Sequence, residues 1–353
     1  MLPQCVPSMT LRDRVSERLT RAWWAPQPTL LAQLLRPLSW LYRGLFRLTQ
    51  SRAKPEPLPV PVIVVGNLIV GGAGKTPTVI ALVRALRAAG WHPGVISRGY
   101  GRRGDAPRAV NADAPASEVG DEPALIARAT TAPTWVGRAR TQTARRLCAA
   151  HPQVDVIVSD DGLQHAALAR QLDVLVFDER GIGNGLLLPA GPLREPMWRT
   201  LTPNASVLYN AAALSTALPG LLIERRLGHA VALHDWVRGE LGLSQPLSTF
   251  KGRRCTAAAG IAAPERFFTM LEAAGLRITR LPLPDHHDFA QLPWPANAGD
   301  VFITEKDAIK LQHWVPTQTT TSLWVVGLDF VLPPAFLRWV HAGLAPFKTP
   351  TPP

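Results

Sequence analysis

Cysteine is scarce. The 353 residues hold only Cys5, Cys148 and Cys255. They are far apart, odd in number and form no CxxC pair, which excludes a disulfide framework and a cysteine-based zinc site. Such usage fits a reducing compartment. Acidic residues are also few, 26 against 38 Lys+Arg, for a formal net charge of +12. That balance calls for an anionic partner: nucleic acid, a phosphorylated small molecule or an acidic membrane surface. No nucleic-acid module and no basic stripe interleaved with aromatics is found, so nucleic acid is set aside. Only 18% of residues are charged against 46% hydrophobic, which excludes a disordered chain. An apolar h-region is missing from the N-terminus, where Arg12, Asp13, Arg14, Glu17 and Arg18 stand, so a cleaved signal peptide is not expected.

An uninterrupted apolar run of spanning length is missing too. Residues 29–48 (TLLAQLLRPLSWLYRGLFRL) come nearest, but Arg36, Arg43, Arg47 and Pro37 interrupt them. A spanning helix needs ~20 predominantly apolar residues, and a mid-bilayer arginine is costly. The arginines, seven and then four residues apart, share one side of a helix, and Trp40 and Tyr42 are interfacial types. The expectation is an amphipathic helix lying in a membrane surface. A Pro-rich linker at 51–61 ends it.

Beyond the linker the pattern changes to alternating strands and helices. Strands are expected at 62–65, 94–96, 154–159 and 172–177, with a helix over 78–89. Continuous apolar strands such as VDVIVS and LDVLVF suit a parallel sheet buried on both faces. A second set has strands at 255–261, 301–304 and 323–326 and helices at 264–274 and 306–311. The reading is an α/β protein: a P-loop NTPase parallel sheet with helices on both faces, a second smaller α/β lobe, and the N-terminal amphipathic helix. The expected segments are 1–50, 51–200 and 201–353, with the break between lobes inside 181–220.

Residues 62–77, VIVVGNLIVGGAGKTP, carry the most chemistry. A β-branched strand enters a Gly-rich turn, then Lys75, Thr76 and a helix. Backbone N–H groups of Gly71, Gly72, Ala73 and Gly74, with the helix N-terminus reaching to Pro77, would cradle phosphates. Lys75 would reach the β- and γ-phosphates and the Thr76 hydroxyl would bind Mg²⁺. The GGxGKT form resembles the loop of dimerising partition-type and arsenical-pump-type ATPases, but Val70 stands where those carry a signature lysine. Asp160 and Asp161 follow an apolar strand, at the ligand-binding edge of a parallel sheet, where an acid can hold the metal.

Other segments point to a phosphoryl acceptor. SRGYGRR at 97–103 brings Arg98, Arg102 and Arg103, suited to phosphate. GDEP at 120–123 offers Asp121 and Glu122, one of which could serve as base for an attacking hydroxyl. A histidine of DHHD at 285–288, paired with a carboxylate from the first lobe, could form a dyad closing over the acceptor.

These motifs, with GNGLLLPAGPLREP and TEKDAIKL, stand in one order over nearly the whole chain. Together they resemble the tetraacyldisaccharide 4'-kinase family of Gram-negative bacteria. The resemblance implies an ATP- and Mg²⁺-dependent lipid kinase on the cytoplasmic face of the inner membrane. It would phosphorylate the 4'-hydroxyl of an acylated glucosamine disaccharide 1-phosphate and act as a monomer. It implies a catalytic dyad of Asp121 and His286 beside Lys75, metal contacts from Thr76, Asp160, Asp161 and Glu122, and substrate contacts from Arg98, Tyr100, Gln164 and His165. The reading from another class is a membrane-associated nucleotide-switch ATPase or GTPase.

Overall fold

The computed structural model describes residues 11–102, 104–111, 114–312 and 321–348. Arg103 and the tail at 349–353 lie outside the described residues. Two helices lead, α1 (Leu11–Trp23) and α2 (Leu30–Arg52). Thr29 caps α2, its hydroxyl accepting from Ala32 N at 3.3 Å. Pro37 lies within α2 on an exposed position, where the missing N–H does not interrupt the helix. Ser39, Tyr42 and Gln50 turn inward: Ser39 Oγ donates to Leu187 O, Tyr42 Oη to Arg194 O and Gln50 Nε2 to Gln164 O. Leu30, Leu34, Leu38, Leu41 and Leu45 recur at helical spacing and are all exposed, Leu34 by 78%. No helix among the described residues is long and apolar enough to cross a membrane.

The first sheet and its helices follow: β1 (Val62–Gly66), α3 (Lys75–Ala88), β2 (Pro93–Ser97), β3 (Arg108–Ala109), α4 (Ala116–Val119) and α5 (Asp121–Thr130). Then come β4 (Thr134–Val136), α6 (Arg140–Ala150), β5 (Val156–Asp160), β6 (Leu172–Asp178), β7 (Ala205–Asn210) and β8 (Leu221–Leu222). The strand order is β3-β4-β2-β5-β1-β6-β7-β8, parallel throughout except for β3. Every residue of β1 and β5 is buried, because helices cover both faces. Strand alternation sends Ile63 and Val65 into one core with Val79, Leu82 and Leu86 of α3, and Val62 and Val64 into the other with Ala144 and Leu147 of α6.

The second sheet is built from β9 (Glu224–Ala232), α7 (Leu233–Arg238), β10 (Arg254–Ala259), α8 (Pro264–Ala273), β11 (Arg277–Pro282), β12 (Asp300–Thr304), α9 (Glu305–Leu311), β13 (Ser322–Val331) and α10 (Pro334–Leu344). Its order is β11-β10-β12-β13-β9, with β9 antiparallel to β13. The change of sheet falls between Leu222 and Glu224, because β7 and β8 still pair with the first sheet. The chain also returns: α10 packs back on the first lobe, where a Cβ on Gly343 would come within 2.6 Å of Leu172 and Trp339 Nε1 donates to Pro203 O at 3.0 Å.

Candidate active site

The Gly-rich loop leaves the C-terminal end of β1, the edge where open α/β sheets bind ligands. Gly74 sits at φ 94°, and a Cβ there would lie 2.4 Å from Asn210 Nδ2. Glycine is required on both counts. Asn210, at the end of β7, donates to Ala73 O at 3.1 Å. The first turn of α3 has no side-chain cap, so the N–H groups of Lys75 and Thr76 remain available to an anion, while Pro77 has no N–H to leave unsatisfied. Lys75 is only 8% exposed: Nζ donates to Asn67 Oδ1 at 3.1 Å and lies 3.7 Å from Asp161 Oδ1.

The neighbouring carboxylates differ sharply in environment. Asp160 is fully buried at the end of β5, where one oxygen accepts from Ser97 Oγ at 3.1 Å and Oδ1 has no hydrogen-bond partner. Burial, with the Glu122 and Asp161 charges adding to it, pushes its pKa up to about 7. Asp161 adopts φ 51° and takes Arg194 Nη1 on both oxygens at 2.8 and 2.9 Å. Burial works against its charged form, but Lys75 and Arg194 outweigh it and hold the carboxylate below its ordinary value. No cluster of three metal-ligating side chains stands preassembled among the described residues. The set still fits Mg²⁺: it is all hard oxygen, one buried carboxylate oxygen lacks a partner, and Mg²⁺ commonly takes one or two carboxylates plus phosphate and water.

Across the cleft, α5 opens with Asp121, and the turn after β11 brings His286 from the second lobe at φ 62°. His286 Nδ1 lies 3.0 Å from Asp121 Oδ2, and Lys310 Nζ of α9 lies 3.2 Å from the same oxygen. Lys310 also donates to His287 O at 2.8 Å. Burial would raise the Asp121 pKa, but the His286 hydrogen bond and the Lys310 charge prevail and hold it low. No hydrogen bond among the described residues engages Asp121 Oδ1. Lys306 Nζ stands 3.4 Å from His286 Nε2 and 3.2 Å from Asp285 Oδ1. A second tie between lobes joins Glu179 to Arg225 at 2.8 Å and to Arg266.

The remaining residues named from sequence fall in two groups. Tyr100 is exposed, its ring 6.0 Å from that of His286, and Arg98 is exposed on the same loop. His165 is half-buried, and burial together with Arg140, Arg98 and Arg170 lowers its pKa to about 4, so the imidazole is neutral at neutral pH. Gln164 is tied to the residue that holds Lys75 and to Glu195, Nε2 donating to Asn67 O at 3.2 Å and to Glu195 Oε1 at 3.3 Å. Arg102 likewise donates to Ala106 O, bracing its own loop. Asn67, Arg194, Lys306 and Lys310 stand in no motif position that assigns them a role from sequence. The same holds for Arg140, which is 1% exposed and donates to Gly137 O and Asp160 O.

A phosphate loop together with a carboxylate of the first lobe paired to a histidine of the second is suited to activating an acceptor hydroxyl, and the chain is by class a P-loop kinase. The family model for tetraacyldisaccharide-1-P 4'-kinase matches residues 31–345, and the chain belongs to that family. It is 49% identical to the tetraacyldisaccharide 4'-kinase of Leptothrix cholodnii over 94% of this chain and 97% of that one. Identity to the same enzyme of Methylibium petroleiphilum is 49% over 97% of each chain. The crystal structure of LpxK from Aquifex aeolicus in complex with ATP is similar at a TM-score of 0.70 and 24% identity, covering 89% of this chain and 99% of that one, which establishes the shared fold. The nucleotide-switch reading is not favoured beside these matches.

Proposed function

We propose that the chain transfers the γ-phosphate of ATP to the 4'-hydroxyl of tetraacyldisaccharide 1-phosphate, forming lipid IVA in lipid A biosynthesis. The observation that carries this reading is the family match across residues 31–345. A sugar hydroxyl has a high pKa, so a base helps only as the proton leaves in the transition state. Asp121 takes that proton on Oδ1, while His286 and Lys310 hold Oδ2. Lys75 leaves Asn67 for the β- and γ-phosphate oxygens, and the loop N–H groups fix the transferring group in line. Thr76, Asp160, Asp161 and Glu122 would hold Mg²⁺, Asp160 through its unpartnered oxygen. When bound, that ion neutralises charge on the phosphoryl oxygens. Arg98 and Tyr100 border the acceptor, and His165 contributes a neutral imidazole to the same rim. The regiochemistry is tested by phosphorus NMR of the lipid product. A second phosphomonoester coupled to the sugar H-4' is expected; a pyrophosphate at the existing phosphate would contradict the reading.

An acceptor with four acyl chains stays partly in the bilayer. The exposed leucine face of α2, with Arg36, Arg43 and Arg47 grouped on another side of the helix, supports seating on the cytoplasmic surface of the inner membrane, where the arginines can reach anionic headgroups. Leu34→Glu with Leu41→Glu is expected to cut co-sedimentation with anionic vesicles by about tenfold or more, since each exposed leucine gains ~1.5–3 kcal/mol on burial. Unchanged co-sedimentation would move the membrane contact elsewhere on the chain.

A further inference from the structure

The N-terminal helices reach the phosphate loop through a side chain with no role so far. Arg180, just after β6, donates from Nη2 to Gly72 O at 2.6 Å, and its Nη1 lies 3.5 Å from the point a Cβ on Gly71 would occupy. Two groups hold the guanidinium there. Asp178, 1% exposed, takes Nε at 2.9 Å and Nη2 at 2.8 Å. The indole of Trp24, between α1 and α2, lies against the guanidinium with Cζ 4.5 Å from the ring centroid.

Trp24 is itself fixed. Its neighbour Trp23 donates from Nε1 to Pro189 O at 2.8 Å and accepts from Asn184 N at 2.8 Å. Gly183 sits at φ 56°, and a Cβ there would lie 2.4 Å from Trp23 O and 3.0 Å from Trp24 Cε3. The GNGLLLPAGP segment is therefore shaped around the tryptophan pair.

The consequence lies in peptide geometry. In a trans peptide the C=O and the following N–H point in opposite directions. A guanidinium holding Gly72 O therefore sets the direction of Ala73 N–H, and Asn210, holding Ala73 O, sets that of Gly74 N–H. Two successive peptides of a glycine-rich loop are pinned from outside. Because Asp178 balances the charge of Arg180, what the arginine supplies is chiefly direction.

We propose that Arg180, held against Trp24, is a positioning residue of the phosphate loop, so that the N-terminal helix pair, and not the sheet alone, sets the loop's grip on ATP. The proposal rests on the reading of this loop as the ATP site. Pre-orienting donors removes an ordering cost that a free glycine loop would meet on binding.

The test is titration of full-length protein with ATP and Mg²⁺, beside steady-state kinetics. Arg180→Ala is expected to raise the Kd and KM for ATP about tenfold, about 1.4 kcal/mol, with a smaller change in kcat. Trp24→Ala is expected to raise them by about three- to tenfold. Trp24→Phe restores most of the loss because a ring face remains, whereas Arg180→Lys does not, because lysine lacks the planar fork. In the double variant Trp24→Ala adds little to Arg180→Ala, since it acts through the same side chain. Additive losses, full activity in Arg180→Lys or an unchanged ATP affinity in Arg180→Ala would overturn the proposal while leaving the kinase reading in place. Wild-type protein that bound no ATP would instead overturn the nucleotide site and the proposal with it.

Discussion

Asp121→Asn is expected to lower phosphoryl transfer by ~10²–10⁴-fold, the range for loss of a positioned base, while ATP affinity stays within about twofold. The substitution keeps size and shape, and the amide oxygen can still accept from Lys310 or His286. What it removes is the capacity of Oδ1 to take a proton. Lys75, Thr76 and the glycines of the loop are untouched, so nucleotide binding and chemistry separate in this one variant. The carboxylate is held ionised by His286 and Lys310 despite its burial, so wild-type Asp121 is ready to accept at neutral pH. Single-turnover transfer and a direct ATP titration check the two halves. Turnover close to wild type would remove Asp121 from the chemistry and leave the 3.0 Å contact with His286 as a tie between lobes.

Asp160→Asn is expected to abolish Mg²⁺-supported transfer, by about 10²-fold or more on the scale of a lost transition-state charge contact, and at the same time to stabilise the metal-free chain. In the absence of metal, burial and the neighbouring carboxylates raise the pKa of Asp160 to about 7. The sign follows from linkage. A carboxyl whose folded pKa lies above its unfolded value of about 3.9 favours the fold most below that value. The contribution is lost as pH rises through about 7. At pH ~8 without Mg²⁺ the wild type holds a buried charge against its preference, and asparagine does not. The variant should melt about 2 °C or more above wild type there, with the difference shrinking as pH falls toward 5. Adding Mg²⁺ and nucleotide should raise the melting temperature of wild type far more than that of the variant. A variant less stable than wild type at pH ~8, or one with normal Mg²⁺-dependent transfer, would contradict this account of Asp160.

What could be read from the sequence was what local chemistry dictates. Strand β1, the glycine loop and the start of α3 are adjacent in the chain, and φ 94° at Gly74 is the kind of demand that glycine reveals at once. Strands β5 and β6 stood out because burial on both faces leaves continuous apolar runs. Other elements left weaker marks. Strand β9 (ERRLGHAVA) is half exposed, and β11 (RITRLP) is a charged edge strand, so neither carries a clear apolar period. Strand β7 (Ala205–Asn210) lies beyond a long loop, and its pairing with β6 is a tertiary fact that no local pattern announces.

The supporting side chains of the site were hidden for a related reason. Arg194 reaches Asp161 from 33 residues away, and Lys310 reaches Asp121 from the other lobe. Only the one-turn spacing of Lys306 and Lys310 on α9 signalled that both face one point. Asn67 gave no signal of its own, since a single asparagine after a strand carries no pattern and only the folded loop sets it against Lys75 Nζ.

Transfer to a lipid hydroxyl at this loop is measured most closely by label transfer from γ-labelled ATP. Full-length protein is incubated with tetraacyldisaccharide 1-phosphate in mixed micelles, with and without Mg²⁺. A labelled lipid is expected that appears only with Mg²⁺ and is nearly absent for Asp121→Asn. Release of labelled phosphate at the same rate with or without lipid, and no labelled lipid, would contradict it and return the chain to the nucleotide-switch class.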